Sequence, residues 1–231
     1  MTPTLALLGS PLLGASVWER VAAELGRRGW PVLTAPHGPA TARTPDEVLG
    51  AFCAAVPRNR PVVLVPHSNA GLYVPALVRR LRPAGAVFVD AGLPPAAGEV
   101  PLAPPELLRV LAAKADPAGL LPPWTRWWDD ADVAALFPDP DTRARVERDQ
   151  PRLPLSYFAA RLPVPSGWDG GLRGAYLAFG DTYADDRESA RARGWPTATL
   201  PGRHLHMLVD PTGVTGELQR LLAQIGRPGG R

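Results

Sequence analysis

A serine hydroxyl becomes a nucleophile when three conditions meet: exposure on a tight turn, a histidine to take its proton, and donors for the oxyanion that forms. The segment Pro66-His67-Ser68-Asn69-Ala70-Gly71 is placed to meet the first. The apolar, β-branched run Pro61 to Val65 before it predicts a buried strand, and Gly71 to Arg80 after it predicts a helix. A strand that turns sharply into a helix lifts the serine Oγ to the sheet edge, the geometry of a nucleophile elbow. Small residues belong beside such a serine, and Gly71 obeys that rule. Pro66 departs from it, since glycine usually stands two residues before the serine. The plain alternative, a Ser-Asn turn that only caps the helix, is weaker because the whole strand-turn-helix context is present.

The proton acceptor is sought in a loop after the last strand. Pro201-Gly202-Arg203-His204-Leu205-His206-Met207 follows the short strand Thr197 to Leu200, which makes His204 the candidate general base. His206 is the fallback, with a role as wall or helix-cap residue the better reading, and His37 and His67 read as structural. Two aspartates stand at strand ends and could orient the imidazole. Asp181 follows Tyr176 to Gly180 and is preferred, and Asp90 ends the strand Val87 to Val89 as the alternative acid. Asp185 and Asp186 better suit the start of the next helix. Oxyanion donors are expected from the backbone N–H groups of Asn69 and of Ser10 after Gly9, with the Ser10 hydroxyl as a further donor.

These groups need a scaffold, and the pattern of elements supplies one. Thr4 to Leu8, Trp30 to Ala35, Pro61 to Val65, Ala84 to Val89, Ala175 to Phe179 and Thr197 to Leu200 are short apolar runs separated by helical patterns. Strands that are apolar throughout and alternate with helices predict an α/β class protein: a mostly parallel central sheet with helices on both faces. Thr44-Pro45-Asp46-Glu47 carries the signature of a capping box with proline at the first helical position. Alternation stops between residues 91 and 172, a proline-rich stretch with short helical patterns and no credible buried strand. The expected organisation is a core of residues 1–90 and 173–226, a helical cap or lid insertion at 91–172, and a flexible tail at 227–231. Trp124, Trp127, Trp128, Trp168 and Tyr157, with Phe137 and Phe158, would line an apolar pocket over Ser68, although most such aromatics individually pack a cap onto its sheet.

Composition excludes other classes. The formal charge of +3 comes from arginines scattered among acids, which argues against nucleic acid as partner. Cys53 is the only cysteine, so no intrachain disulfide or thiolate metal cluster is expected, and the chemistry calls for no metal or organic cofactor. No run is apolar for the 18 or so residues of a membrane span. The apolar start lacks a basic n-region and reads as the first strand, so a cytoplasmic protein is expected. The expected partner is a hydrophobic small-molecule substrate, and the chain is a monomer or homodimer.

With these residues in view, the chain resembles the α/β-hydrolase superfamily. His67-Ser68-Asn69-Ala70-Gly71 is similar to its G-H-S-x-G-G, and Leu8-Gly9-Ser10 stands where many members have His-Gly-x. Phe88-Val-Asp-Ala-Gly-Leu-Pro94 is similar to a strand end in small esterases of the plant methylesterase and hydroxynitrile lyase type. Gly180-Asp181-Thr182-Tyr183 stands where G-x-x-D is more frequent. The resemblance implies a serine hydrolase in which Ser68 attacks, His204 relays the proton and Asp181 orients it, since the usual order is Ser, acid, His. The substrate would be an ester, thioester or lactone of a hydrophobic molecule. The alternative is a non-hydrolytic cyclase, lyase or acyltransferase of the same fold, and the third reading is a catalytically inactive binding protein.

Overall fold

The computed structural model describes residues 2–35 and 43–226. The loop segment Pro36-His37-Gly38-Pro39 and the expected tail 227–231 lie outside the described residues. Strands β1 (Thr4–Leu8), β2 (Val32–Ala35), β3 (Val62–Ser68) and β4 (Gly85–Ala91) alternate with helices α1 (Glu19–Arg27), α2 (Pro45–Ala55) and α3 (Val74–Leu81). β1, β3 and β4 are buried at every position, as strands covered on both faces must be. Helix α2 starts where its sequence demands. Thr44 accepts from the Glu47 N–H at 3.3 Å, and the Glu47 carboxylate reaches back to the Thr44 N–H at 3.0 Å.

The stretch from 91 to 172 is not wholly helical. It carries a two-stranded antiparallel sheet of β5 (Gly98–Pro101) and β6 (Arg161–Val164), and between these strands in the chain come helices α4 (Pro105–Ala112), α5 (Asp130–Ala134), α6 (Pro140–Asp149) and α7 (Leu155–Ala159). Both of these strands are short and half exposed, and each contains a proline, so no apolar run betrays them. The chain then re-enters the sheet through β7 (Gly174–Phe179), α8 (Ala184–Ala192), β8 (Thr197–Leu200), the short α9 (His206–Val209) and α10 (Pro211–Gly226).

The other six strands form one sheet of order β2-β1-β3-β4-β7-β8, parallel at every pairing. From β1 the chain moves outward to β2, then returns past β1 to β3 and proceeds the other way. Right-handed crossovers therefore place α1 on one face and α2, α3 and α8 on the other. The contacts agree, with α1 packed on α10 and α2 on α3. The reversal of direction at β1 and β3 opens a crevice at the carboxyl ends of these strands, where an open α/β sheet binds its ligands. Ser68 is the last residue of β3 and stands in that crevice.

Candidate active site

Ser68 has φ 57° and ψ −129°, a left-handed conformation that a non-glycine residue adopts at a cost of about 1–3 kcal/mol. The strain comes from turning a central strand at once into the 3-10 turn Asn69–Tyr73 that leads into α3. That turn lies hard against the end of β4, and a Cβ on Gly71 would fall on the Gly92 carbonyl oxygen. Glycine is thus required there by close approach. Proline at 66 sits opposite Leu8 of β1, and β3 forgoes the N–H that another residue would offer the sheet.

His204 follows β8 through the turn at Gly202 and lies at the same sheet edge. Its Nδ1 is 2.7 Å from Oδ2 of Asp90, whose carboxylate is fully buried. The other oxygen of Asp90 accepts the Phe179 N–H at 2.9 Å. Asp90 owes this position to a β-bulge. His67 pairs with Val89 but Ser68 pairs with Ala91, so Asp90 is the extra residue, at φ 41°. A bulge re-aims the side chain it carries, and here it directs the carboxylate across the sheet edge to His204. Tyr176 pins the bulge, its phenol accepting the Ala91 N–H at 3.1 Å and donating to the Ala91 carbonyl at 2.6 Å.

Of the two candidate acids, the structure brings Asp90, the alternative, to His204 and leaves the preferred Asp181 away from it. Asp181 is 89% exposed and faces Arg187 at 3.7 Å. It follows Gly180, whose φ of 68° turns the chain outward before α8. His206 packs edge-on against Phe179 with ring centroids 5.5 Å apart, a wall residue. His67 is fully buried. It stacks on the His204 ring at 4.6 Å, and its Nε2 lies 3.0 Å from the His204 carbonyl. Burial, and secondarily the charge that His204 can carry, hold its pKa well below 6.5, so His67 is neutral and its Nε2–H donates to that carbonyl. It braces the loop that presents His204.

Of the two backbone positions expected to serve an oxyanion, Asn69 is fixed through its side chain. Its Nδ2 donates to the Leu102 carbonyl at 3.1 Å, and its Oδ1 accepts the Tyr157 hydroxyl at 3.0 Å. Tyr157 also bonds Tyr73 at 2.7 Å. Ser10 is fully buried, and its hydroxyl accepts the Leu12 N–H at 3.3 Å. Burial raises the phenol of Tyr73 well above its ordinary value of 10.0, so that hydroxyl stays protonated in the network.

A cavity of roughly 540 Å³ opens over these groups. Trp124, Trp127, Trp128 and Phe158 line it. Trp168 and Tyr157 do not. Trp168 packs against Phe88 and Trp195, with Nε1 donating to the Pro95 carbonyl at 2.8 Å, and Tyr157 is spent on Asn69 and Tyr73 behind the wall. Its polar lining is Ser68, Asn69, Thr182, Tyr183, Asp186 and His204. Asp186 accepts the Leu93 N–H at 2.6 Å, and burial raises its carboxyl pKa above 3.8. Tyr183 is the residue that sequence reasoning missed. Its hydroxyl is 3.3 Å from Ser68 Oγ, and no Ser68–His204 hydrogen bond forms among the described residues. Its one signal was its place in Gly180-Asp181-Thr182-Tyr183, where the resemblance has an acid more often.

The strand order, with a strained serine where β3 turns into a helix at the switch point, defines the class: this chain has the α/β-hydrolase fold. By sequence it matches no family model and no curated protein. Solved structures carry the likeness. An extracellular α/β-hydrolase from a Paenibacillus species, described as sharing structural and functional homology with tobacco salicylic acid binding protein 2, superposes with a TM-score of 0.75 at 16% identity, over 98% of this chain and 100% of that one. Polyneuridine aldehyde esterase gives 0.67 at 15%, over 96% and 99%. Tomato methylketone synthase I complexed with 2-tridecanone gives 0.61 at 16%, over 97% and 99%.

Proposed function

We propose that the protein is a serine hydrolase for an ester, thioester or lactone of a hydrophobic small molecule. The observation that carries this reading is the buried Asp90 carboxylate, 2.7 Å from His204, which lines the same apolar cavity as the strained Ser68. Asp90 holds the tautomer in which His204 Nδ1 bears hydrogen, leaving Nε2 as the base. Ser68 Oγ attacks the carbonyl carbon while His204 Nε2 takes its proton. The carbonyl π pair moves to oxygen, where the Asn69 and Ser10 N–H groups receive it. The C–O or C–S bond then breaks, and His204 returns the proton to the leaving group. Water, activated by the same nitrogen, releases the acid from the acyl-enzyme. The insertion serves as the cap that closes an apolar pocket over the reacting carbonyl.

Incubation with a fluorophosphonate, followed by intact mass and peptide mapping, tests this. A single adduct on Ser68, lost in Ser68→Ala, is expected; an unmodified wild-type chain, or an adduct that survives Ser68→Ala, overturns it. A non-hydrolytic reaction in the same cavity is the second reading, favoured by the Ser68 hydroxyl being held by Tyr183 and not by His204. For that reading, turnover that survives Ser68→Ala but not His204→Ala is the signature.

A further inference from the structure

The Tyr183 hydroxyl is left without a task by the mechanism above, yet it touches the reacting atom. It lies 3.3 Å from Ser68 Oγ, its only hydrogen-bond partner among the described residues. The ring lies beside the imidazole of His204, with centroids 5.7 Å apart and planes inclined at 35°, and it forms part of the cavity wall. A phenylalanine would pack there equally well. The hydroxyl is the part that packing does not explain.

We propose that Tyr183 is a catalytic residue, a side-chain hydrogen-bond donor to the serine oxygen and then to the tetrahedral intermediate. This rests on the hydrolase reading and deepens it. With the Ser68 O–H directed to His204, Oγ still has a lone pair, and the phenol donates to it, fixing the side-chain rotamer for attack. Once the Oγ–C bond forms and the carbonyl pair moves to oxygen, Oγ becomes an ester-type oxygen and a poor acceptor. The two other oxygens of an ester's tetrahedral carbon then lie within reach of the phenol, and both carry more negative charge than in the ground state. The O–H moves its hydrogen bond to them and transfers no proton, since His204 supplies the one the leaving group takes. Because the bond strengthens as charge develops, it favours the transition state over bound substrate. Burial, with smaller contributions from the Asp90 and Asp186 charges, holds the phenol far above its ordinary value, so it remains a neutral donor throughout the working pH range.

The proposal has a companion in the choice of acid. The aspartate common at this place is absent, the acid comes from the β4 bulge, and the vacated place presents a phenol to the nucleophile. The test compares wild type with Tyr183→Phe on p-nitrophenyl butyrate. Rates are normalised to sites titrated to completion with a fluorophosphonate, so that misfolded protein is not counted. Expected is a fall in kcat on the order of 100-fold, with KM changed less than about twofold, and an unchanged acidic limb of the kcat/KM profile. An unaltered kcat, a loss confined to KM, or a shifted acidic limb at full plateau overturns it, the last because the phenol would then act on His204. The two failures separate cleanly. A wild-type chain that takes no fluorophosphonate sinks the hydrolase reading and this with it, whereas a reactive wild type matched by Tyr183→Phe sinks only this.

Discussion

At the scale of single residues, the site turns on which carboxylate reaches His204. Asp90 is buried with both oxygens engaged, and Asp181 is exposed beside an arginine. Asp90→Asn keeps the shape but favours the wrong imidazole tautomer, and should lower kcat by roughly 10³- to 10⁴-fold. Asp181→Asn should change it less than about twofold. Initial rates with a chromogenic ester decide between them, and the reverse ranking would return the role to Asp181. Sequence shows an aspartate at each of two strand ends, and here its information stops. What separates them is a one-residue bulge and a positive φ at Asp90, which depend on the pairing of β3 with β4 and leave no periodic mark. Tyr183 escaped notice for a related reason, since its hydroxyl meets Ser68 only after Gly180 has turned the chain.

At the scale of elements, legibility followed burial. The sheet strands announced themselves because a strand covered on both faces must be apolar throughout, and α2 because its capping box is a local chemical signal. The β5–β6 pair gave no such signal, with Glu99 opposite Pro163 and Arg161 opposite Pro101. Nor does an aromatic residue state which way it faces: Trp124, Trp127 and Trp128 line the cavity, whereas Trp168 packs against Phe88. The elbow carries the most demanding packing. Gly71→Ala would drive the turn after Ser68 away from the Gly92 carbonyl, and overpacking of this kind costs about 1–3 kcal/mol. A lower urea midpoint with unchanged slope is expected, together with slower Ser68 labelling. Retention of both would mean that the β4 end yields to the added methyl group.

At the scale of the whole molecule, the structure ties stability to the protonation of one buried ring. His67 joins the core beneath Trp18, whose ring meets it edge-on at 6.1 Å, to the loop bearing His204. Its Nε2–H is satisfied by the His204 carbonyl, but Nδ1 is buried without a partner among the described residues. Protonation would therefore put a charge and an unpaired N–H among apolar neighbours, with His204 stacked above it. The folded pKa lies below the unfolded value near 6.5, so below that pH the unfolded chain binds the extra proton and the folded chain does not. Stability is then full above about pH 6.5 and falls as pH drops below it, with a slope of up to about 1.4 kcal/mol per pH unit from this residue. The raised carboxyl of Asp186 acts in a lower window, from 3.8 upward, and in the opposite sense: its folded form binds the extra proton there, so stability from it falls as pH rises. Urea midpoints for wild type should differ little between pH 7.5 and 6.5 and fall clearly by pH 5.5, and His67→Asn, which can still donate toward the loop but does not titrate, should flatten the fall. A wild-type midpoint independent of pH over this range would mean that the core admits a charged His67, and that His204 rests on a less rigid support than the stacked rings indicate.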